Sequence, residues 1–321
     1  MHASTRLALT AVLVTALSAP TLAQEMSTYS GPCDASAAAA LGADHFVVAN
    51  DERNTLYVYL RGQMQAVGSV ELSKFLGTRA DEESDIEGAA AVGTRIYWIT
   101  SHGRDSKGRF QPGRHRFFAT DVLPGRTPTL KPIGEPYVKL LRDMAASDAL
   151  KPYKLGDAAR LAAEAEGGLN IEGLAATPAG GLLIGLRNPL VRQRALVIPL
   201  QNPGEVVKGL SARFGKPIEL ELGRRGIRSI ELVGSSYLIV AGPPADNGNF
   251  ALYRWSGQPG DAAVPLAGSN LGDLRPEALF AIPQTGRVQL LSDDGGIKIA
   301  GVECKKLPHA RQSFRSLIVT P

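Results

Sequence analysis

The sequence predicts an all-β chain folded as a β-propeller of five blades, with a short helical insertion. Three observations predict it. A unit of strand, glycine turn and strand recurs along the chain, a carboxylate returns at the same place in most copies, and 35 Gly with 21 Pro supply the turns that many short strands need.

The first 23 residues stand apart from that pattern. One Arg precedes an apolar run at 7–17, and a short tail ends in Thr21-Leu22-Ala23 before Gln24. This is the layout of a signal peptide cut after Ala23, which implies a periplasmic or secreted protein. A run of eleven positions is too short for a membrane span, which takes roughly twenty, and no later segment has the length. Removing Arg6 lowers the net charge from +4 to +3. The remaining Lys and Arg are scattered and aromatic residues make up only 6%, so the basic, aromatic-rich stripe of a nucleic-acid binder is absent. Residues 24–321, at 44% hydrophobic content overall, suit one propeller domain.

Cys33 and Cys304 have no second Cys or His at zinc-ligand spacing. In an oxidising compartment they predict a disulfide that ties the two ends of the chain together. The alternative is two buried thiols.

The two clearest copies of the repeat are Asp85-Ile86-Glu87-Gly88-Ala89-Ala90 and Asn170-Ile171-Glu172-Gly173-Leu174-Ala175, each followed by a Gly turn and a second strand. Ser229-Ile230-Glu231-Leu232 and Arg275-Pro276-Glu277-Ala278-Leu279 follow the same plan more weakly. Cys33-Asp34-Ala35-Ser36-Ala37-Ala38 makes a fifth, with Ser36 where the others carry Glu. Further β-like runs after each pair extend the unit to three or four strands. Glu87, Glu172, Glu231 and Glu277 lie 85, 59 and 46 residues apart, and the shortest interval matches a propeller blade. The longest has room for a sixth blade or an insertion. Leu140, Leu141 and Met144 fall at helical spacing, so residues 137–166 are read as a helical insertion that ends at Gly167-Gly168. A two-sheet sandwich is the rival fold, but it gives no reason for a carboxylate at a fixed place in each unit. The last β-like run, Ser313 onward, is expected to complete the first blade.

Residues two apart in a strand share a face, so Asp85 points with Glu87, and Asn170 with Glu172. If the innermost strands begin here, Glu87, Glu172, Glu231 and Glu277 converge on one channel mouth, where they repel unless a cation intervenes. Asp85 and these four Glu residues are therefore candidate ligands for Ca²⁺, which accepts many oxygens in irregular geometry. The alternative is that each Glu accepts backbone N–H bonds and staples the ring. Polar loops after the second strands should rim the same mouth. His102 is the candidate proton donor there, with Glu87 and Glu172 as candidate catalytic carboxylates. Arg104, Arg187, Asn188 and Arg228 are candidate ligand-binding groups, and Arg187 and Arg228 could equally neutralise the carboxylates. Asp293-Asp294 before two Gly residues, in a loop expected at the rim, reads most simply as a turn, with metal binding as the alternative. No serine-hydrolase elbow, zinc-protease helix motif or nucleotide-binding glycine loop is present.

The segments Ser84-Asp85-Ile86-Glu87-Gly88-Ala89, Ser101-His102-Gly103-Arg104, Arg114-His115-Arg116, Gly168-Leu169-Asn170-Ile171-Glu172-Gly173-Leu174, Gly185-Leu186-Arg187-Asn188-Pro189 and Gly226-Ile227-Arg228-Ser229-Ile230-Glu231 resemble the bacterial family named domain of unknown function 3616. More distantly, that family resembles the esterase-like phytase and SdiA-regulated propellers. The resemblance implies an exported propeller with a polar, metal-competent channel mouth, and it carries no catalytic residue onto this chain. Two functions stand side by side. One is binding of a small anionic ligand or an envelope protein at the carboxylate-lined mouth. The other is calcium-assisted hydrolysis of phosphate esters or glycans.

Overall fold

The computed structural model describes residues 24–321 apart from positions 51, 80, 81, 246, 247 and 269. The expected signal peptide lies outside the described residues. The chain opens with β1 (Gln24–Ser30) and continues through the first blade, β2 (Ala37–Leu41), β3 (His45–Ala49), β4 (Thr55–Leu60) and β5 (Ala66–Glu71). A short helix, α1 (Ser73–Leu76), leads to the second blade, β6 (Ile86–Val92), β7 (Arg95–Thr100), β8 (Phe117–Leu123) and β9 (Thr129–Tyr137). Helices α2 (Leu140–Ala146) and α3 (Leu155–Ala158) follow, and then the third blade, β10 (Asn170–Ala176), β11 (Leu182–Asn188), β12 (Ala195–Leu200) and β13 (Ile218–Leu220). The fourth blade is β14 (Gly226–Val233), β15 (Ser236–Gly242), β16 (Ala251–Trp255) and β17 (Val264–Pro265). The fifth contains β18 (Pro276–Ala281) and β19 (Val288–Ser292). After the small hairpin β20 (Lys298–Ile299) and β21 (Val302–Glu303), β22 (Ser313–Val319) completes the chain.

There are thus five antiparallel blades, as the repeat predicts, and the long interval holds the helical insertion rather than a sixth blade. Closure differs from the sequence expectation. The C-terminal run does not complete the first blade; β22 is the third strand of the fifth blade, and β1 pairs outside it to give the order β1-β22-β19-β18. The reason is register: β1 and β22 pair over their full seven residues, and β22 also pairs with β19, which leaves β5 as the outer strand of the first blade.

Each blade is covered on both faces by its neighbours, so its second strand reads as a continuous apolar run; β11 is buried throughout. Most buried clusters mix aliphatic side chains with a few aromatic ones or are wholly aliphatic at their centre. The seam between first and last blades is aromatic, with Tyr29, Phe46, Tyr59, Phe280 and Phe314 in one buried cluster at centroid spacings of 5.1 to 5.5 Å. Such ring pairs add about 0.5 to 1.5 kcal/mol each beyond area burial, which strengthens the interface that closes the ring, where the chain passes from β1 of the fifth blade into β2 of the first. The Cys33–Cys304 disulfide, with Cα atoms 6.0 Å apart, closes the same region. The insertion packs Leu140, Met144, Leu150 and Leu155 against the second and third blades, and its last segment runs back toward the channel. No helix of the described residues is long and apolar enough to cross a membrane.

Candidate functional site

The innermost strands β6, β10, β14 and β18 share one irregularity. Each has a bulge near its start, between Ile86 and Gly88, Ile171 and Gly173, Ile227 and Ser229, and Pro276 and Ala278, and β10 has a second irregularity between Asn170 and Ile171. The extra residue at each bulge is charged: Glu87, Glu172, Arg228 and Glu277. A bulge adds one residue against its partner strand and re-aims its side chain, and here all four line a single cavity of about 430 Å³ at the end of the channel where these strands begin. Small residues follow each bulge because the inner strands crowd together. A Cβ on Gly173 would lie 2.7 Å from Ile227 Cγ2, and one on Gly88 would lie 3.1 Å from the Glu172 carbonyl.

This alignment corrects one member of the expected set. Glu231 does not join the others. It lies three residues beyond the bulge, where it lines the opposite opening with Ala38, Ala89 and Phe280 and accepts a hydrogen bond from Ala281 N at 3.2 Å. Arg228 takes its place at the mouth. The signal was in the sequence: a small residue follows Glu87, Glu172, Arg228 and Glu277, whereas Leu232 follows Glu231.

Arg228 resolves the repulsion that a metal ion was expected to resolve. Buried at 5% exposure, it places Nε 3.0 Å from Glu172 Oε2 and pairs through Nη2 with Glu277, while its guanidinium lies over Phe250 at 5.5 Å. Arg187 reaches Glu172 Oε1 at 3.0 Å and Glu164 at 3.7 Å, and donates from Nε to the Pro244 carbonyl at 2.9 Å. Burial alone would lower the Arg187 pKa, but Glu172, Glu164 and Glu87 overcome it and hold the group above its ordinary value. Arg228 stays below its ordinary value, because desolvation and the nearby Arg187 outweigh its carboxylates. Among the described residues, no group of three or more His, Cys, Asp or Glu side chains is arranged to hold a metal ion. The expected calcium ligands Asp85, Glu87, Glu172 and Glu277 do share the cavity, but guanidinium groups stand between them.

Asp85 adopts a left-handed backbone (φ 57°), which Asp tolerates better than most residues. It receives Arg114 Nη1 at 3.0 Å, and Arg114 also pairs with Glu83. Glu83 is pushed up to about 7 by burial and by Asp85, against the pull of Arg114. Arg104 lines the cavity as expected, braced by the Ala159 and Gly108 carbonyls at 2.9 and 3.0 Å. Asn188 is spent on the insertion, donating to the Ala163 and Ala165 carbonyls at 2.9 and 2.7 Å.

His102, expected as the proton donor, does not line the cavity. It is 1% exposed, its Nδ1 lies 2.8 Å from the Thr100 carbonyl, and its ring packs edge-on against His115 at 5.4 Å. Desolvation, with His115 adding, lowers its pKa to about 3, so the ring is neutral. The wall of the cavity at the first and fifth blades holds residues from two of the polar loops expected to rim the mouth, 50–54 and 292–295, together with two side chains not singled out as site residues, Asp34 and Lys305. Asp34, Glu52, Asp293 and Lys305 meet there. Asp34 had a signal in its place within the repeat, and Asp293 had one as part of a polar loop expected at the rim. Asp294, its neighbour, is structural: it accepts from Arg315 N and Nε at 2.9 Å and from Ser292 Oγ at 2.8 Å.

In all, ten carboxylates and six basic side chains of the described residues line this cavity. Asn170 donates to Glu172 Oε1 at 3.2 Å, and its own Oδ1, buried, has no hydrogen-bond partner. Arg228 Nη1 likewise has none, and Nε meets Glu172 Oε2 as an ion pair without a hydrogen bond.

Residues 138–287 match the family described as Protein of unknown function (DUF3616). The matched stretch carries Glu172, Arg187, Arg228 and Glu277, while the Asp34, Glu83 and Asp85 side of the cavity lies outside it. Chain-course similarity also extends to a glutaminyl cyclase from Myxococcus xanthus (12% identity, 94% of this chain and 98% of that one, TM-score 0.48). It extends to an aldose sugar dehydrogenase from Streptomyces coelicolor (10% identity, 94% and 100%, TM-score 0.43) and to the β-propeller domain of Cps50 (Swd1) from Myceliophteria thermophila (10% identity, 93% and 100%, TM-score 0.37). At that distance no chemistry carries over. No curated protein matches the chain by sequence.

Proposed function

We propose that the chain is an exported binding propeller whose cavity takes a small polar ligand through an oxygen acceptor on Arg228. The observation that carries this reading is the Arg228 guanidinium itself. It is buried in the cavity lining, Nη2 pairs with Glu277, Nε faces Glu172 Oε2 at 3.0 Å as an ion pair without a hydrogen bond, and Nη1 has no hydrogen-bond partner. A buried donor left unsatisfied costs about 1 to 3 kcal/mol, and a ligand oxygen would recover that. Asn170 Oδ1 is the complementary unsatisfied acceptor in the same lining. A hydroxyl could serve both groups, and a carboxylate or phosphate could serve Arg228. The cavity, at about 430 Å³, is within the usual range of small-molecule sites. Export rests on the residues 1–23 signature and on the Cys33–Cys304 bond, which suits an oxidising compartment.

The test is thermal unfolding of the mature protein against sugars, hydroxy acids, sugar phosphates and amino acids at about 10 mM, since a ligand that binds only the folded form raises the midpoint by mass action. At least one member should raise it, and Arg228→Lys, which keeps the charge but loses the forked donors, should weaken that ligand tenfold or more. A blank panel, or a ligand indifferent to Arg228→Lys, would overturn the proposal.

A further inference from the structure

We infer that Asp34 and Asp293 form an ammonium-binding subsite, so that the ligand carries a protonated amine beside the oxygen taken by Arg228. This rests on the binding reading above and names the ligand's class: a small amino-hydroxy or amino-acid compound.

Most cavity carboxylates are held by a cation. Glu172 and Glu277 have Arg228, Glu83 and Asp85 have Arg114, Glu52 has Lys305 at 3.2 Å, and Asp105 has Arg109 at 2.6 Å. Among the described residues no basic group lies within ion-pair distance of Asp34 or Asp293, although Lys305 acts on Asp34 and Arg228 on Asp293 from farther away. They face each other across a backbone bridge and line the same wall of the cavity, where two carboxylates this close repel unless a proton or a cation intervenes.

The pair is built rather than incidental. Asp34 is 4% exposed and follows Cys33 of the disulfide, Asp294 N donates to the Cys33 carbonyl at 2.9 Å, and Gly295 N donates to Asp293 Oδ1 at 2.8 Å. Gly295 has to lack a side chain, because a Cβ there would overlap Asp34 Oδ1. The independent sign of a ligand is the cavity lining, where Arg228 and Asn170, both 5% exposed, keep an unsatisfied donor and acceptor.

The groups that act on Asp34 are Asp293 and Glu52, which favour its proton, and Lys305, which opposes it, while exposed Arg275 lines the cavity nearby. Burial first, and these carboxylates second, raise the Asp34 pKa to about 8. An arriving ammonium group replaces the proton that Asp34 keeps below that pH, supplying up to three N–H donors where one O–H stood. Affinity for an amine should therefore rise with pH below 8, by up to about tenfold per unit for one released proton.

Titration calorimetry on the intact mature protein tests this with two matched pairs, serine against glycerate and glucosamine against glucose. The amine member should bind at least tenfold tighter at pH 7, and serine should tighten from pH 5.5 to 7, a window in which its own amine stays protonated. Asp293→Asn and Asp34→Asn, each checked for an unaltered circular dichroism spectrum, should bring the amine preference close to unity and flatten the pH dependence. If amine and amine-free members bind equally and both depend on Arg228, the ammonium subsite is wrong and the binding reading stands. If calcium binds and Asp293→Asn abolishes it, the subsite is a metal site and the inference fails. If nothing binds, both fall.

Discussion

The two ends of the central channel are built by the same inner strands and differ in nearly every property. At the end where the strands begin, a bulge in four of the five turns a charged residue inward, and the opening collects carboxylates and guanidiniums. At the other end the pleat is regular, Ala38, Ala39, Ala40, Ala89 and Ala91 line a smaller opening of about 250 Å³, and Glu231 is its one charged residue among those described. Regular strands crowded about an axis leave room for little more than Ala. The bulges supply both the extra residue and the space it occupies, so the chemistry sits where the ladder is broken. The first blade makes the same point by exception: β2 pairs without a bulge, and Ser36 before it donates to the Ile86 carbonyl at 2.7 Å instead of entering the ion-pair network.

The largest effect that sharpens this contrast should come from Arg228→Met. Removing one partner of a buried ion-pair network leaves Glu277 without its guanidinium and Glu172 with Arg187 alone, a loss of about 3 to 5 kcal/mol in unfolding free energy. Urea denaturation measures it. A loss under about 1 kcal/mol would mean that the network is solvated and that the two ends are energetically alike. Next in size is Gly173→Ala, one residue past a bulge, where the new methyl meets Ile227 Cγ2 at 2.7 Å and Gly185 Cα at 3.0 Å. Overpacking of this kind costs about 1 to 3 kcal/mol, and Ala38→Gly at the regular end should cost no more than about 1 kcal/mol. Similar losses at both positions would show that the bulged end is no more tightly fitted than the other.

The fold was legible because blade repeats leave strong marks, namely paired apolar strands, a Gly turn and a helical spacing confined to the insertion. The site was legible only in part. Glu87, Glu172 and Glu277 were found through a repeated carboxylate, but a bulge inserts a residue without altering composition, so Glu231 was put in register with them and Arg228 was placed only as a candidate cation. Asp34 and Asp293 are some 260 residues apart in sequence, and only closure of the ring makes them neighbours; no local pattern could pair them. The same holds for the last strand, whose partner β1 lies at the opposite end of the chain. His102 shows the converse limit, since a polar loop residue is buried here by the packing of His115 and by its own left-handed backbone.

The smallest predicted effect tests the plain end of the channel. Desolvation pushes the Glu231 carboxyl up to about 7, with only the Ala281 N–H opposing. A carboxyl with a higher pKa in the folded state than in the unfolded chain binds more protons when folded between roughly pH 4.5 and 7. Unfolding free energy therefore falls as pH rises through that window, and the contribution present below it is lost above. Glu231→Gln removes the titrating group and should flatten that slope, leaving the variant more stable than wild type at pH 8 by about 1 kcal/mol and near wild type at pH 4.5. This is less than the full shift implies, because the side chain is only half-buried and channel water screens it. Denaturation curves of both proteins at pH 4.5, 6 and 8 would show the difference. Parallel pH profiles would mean that Glu231 is already ionised in the folded chain, and the two ends of the channel would then differ in charge number rather than in how charge is compensated.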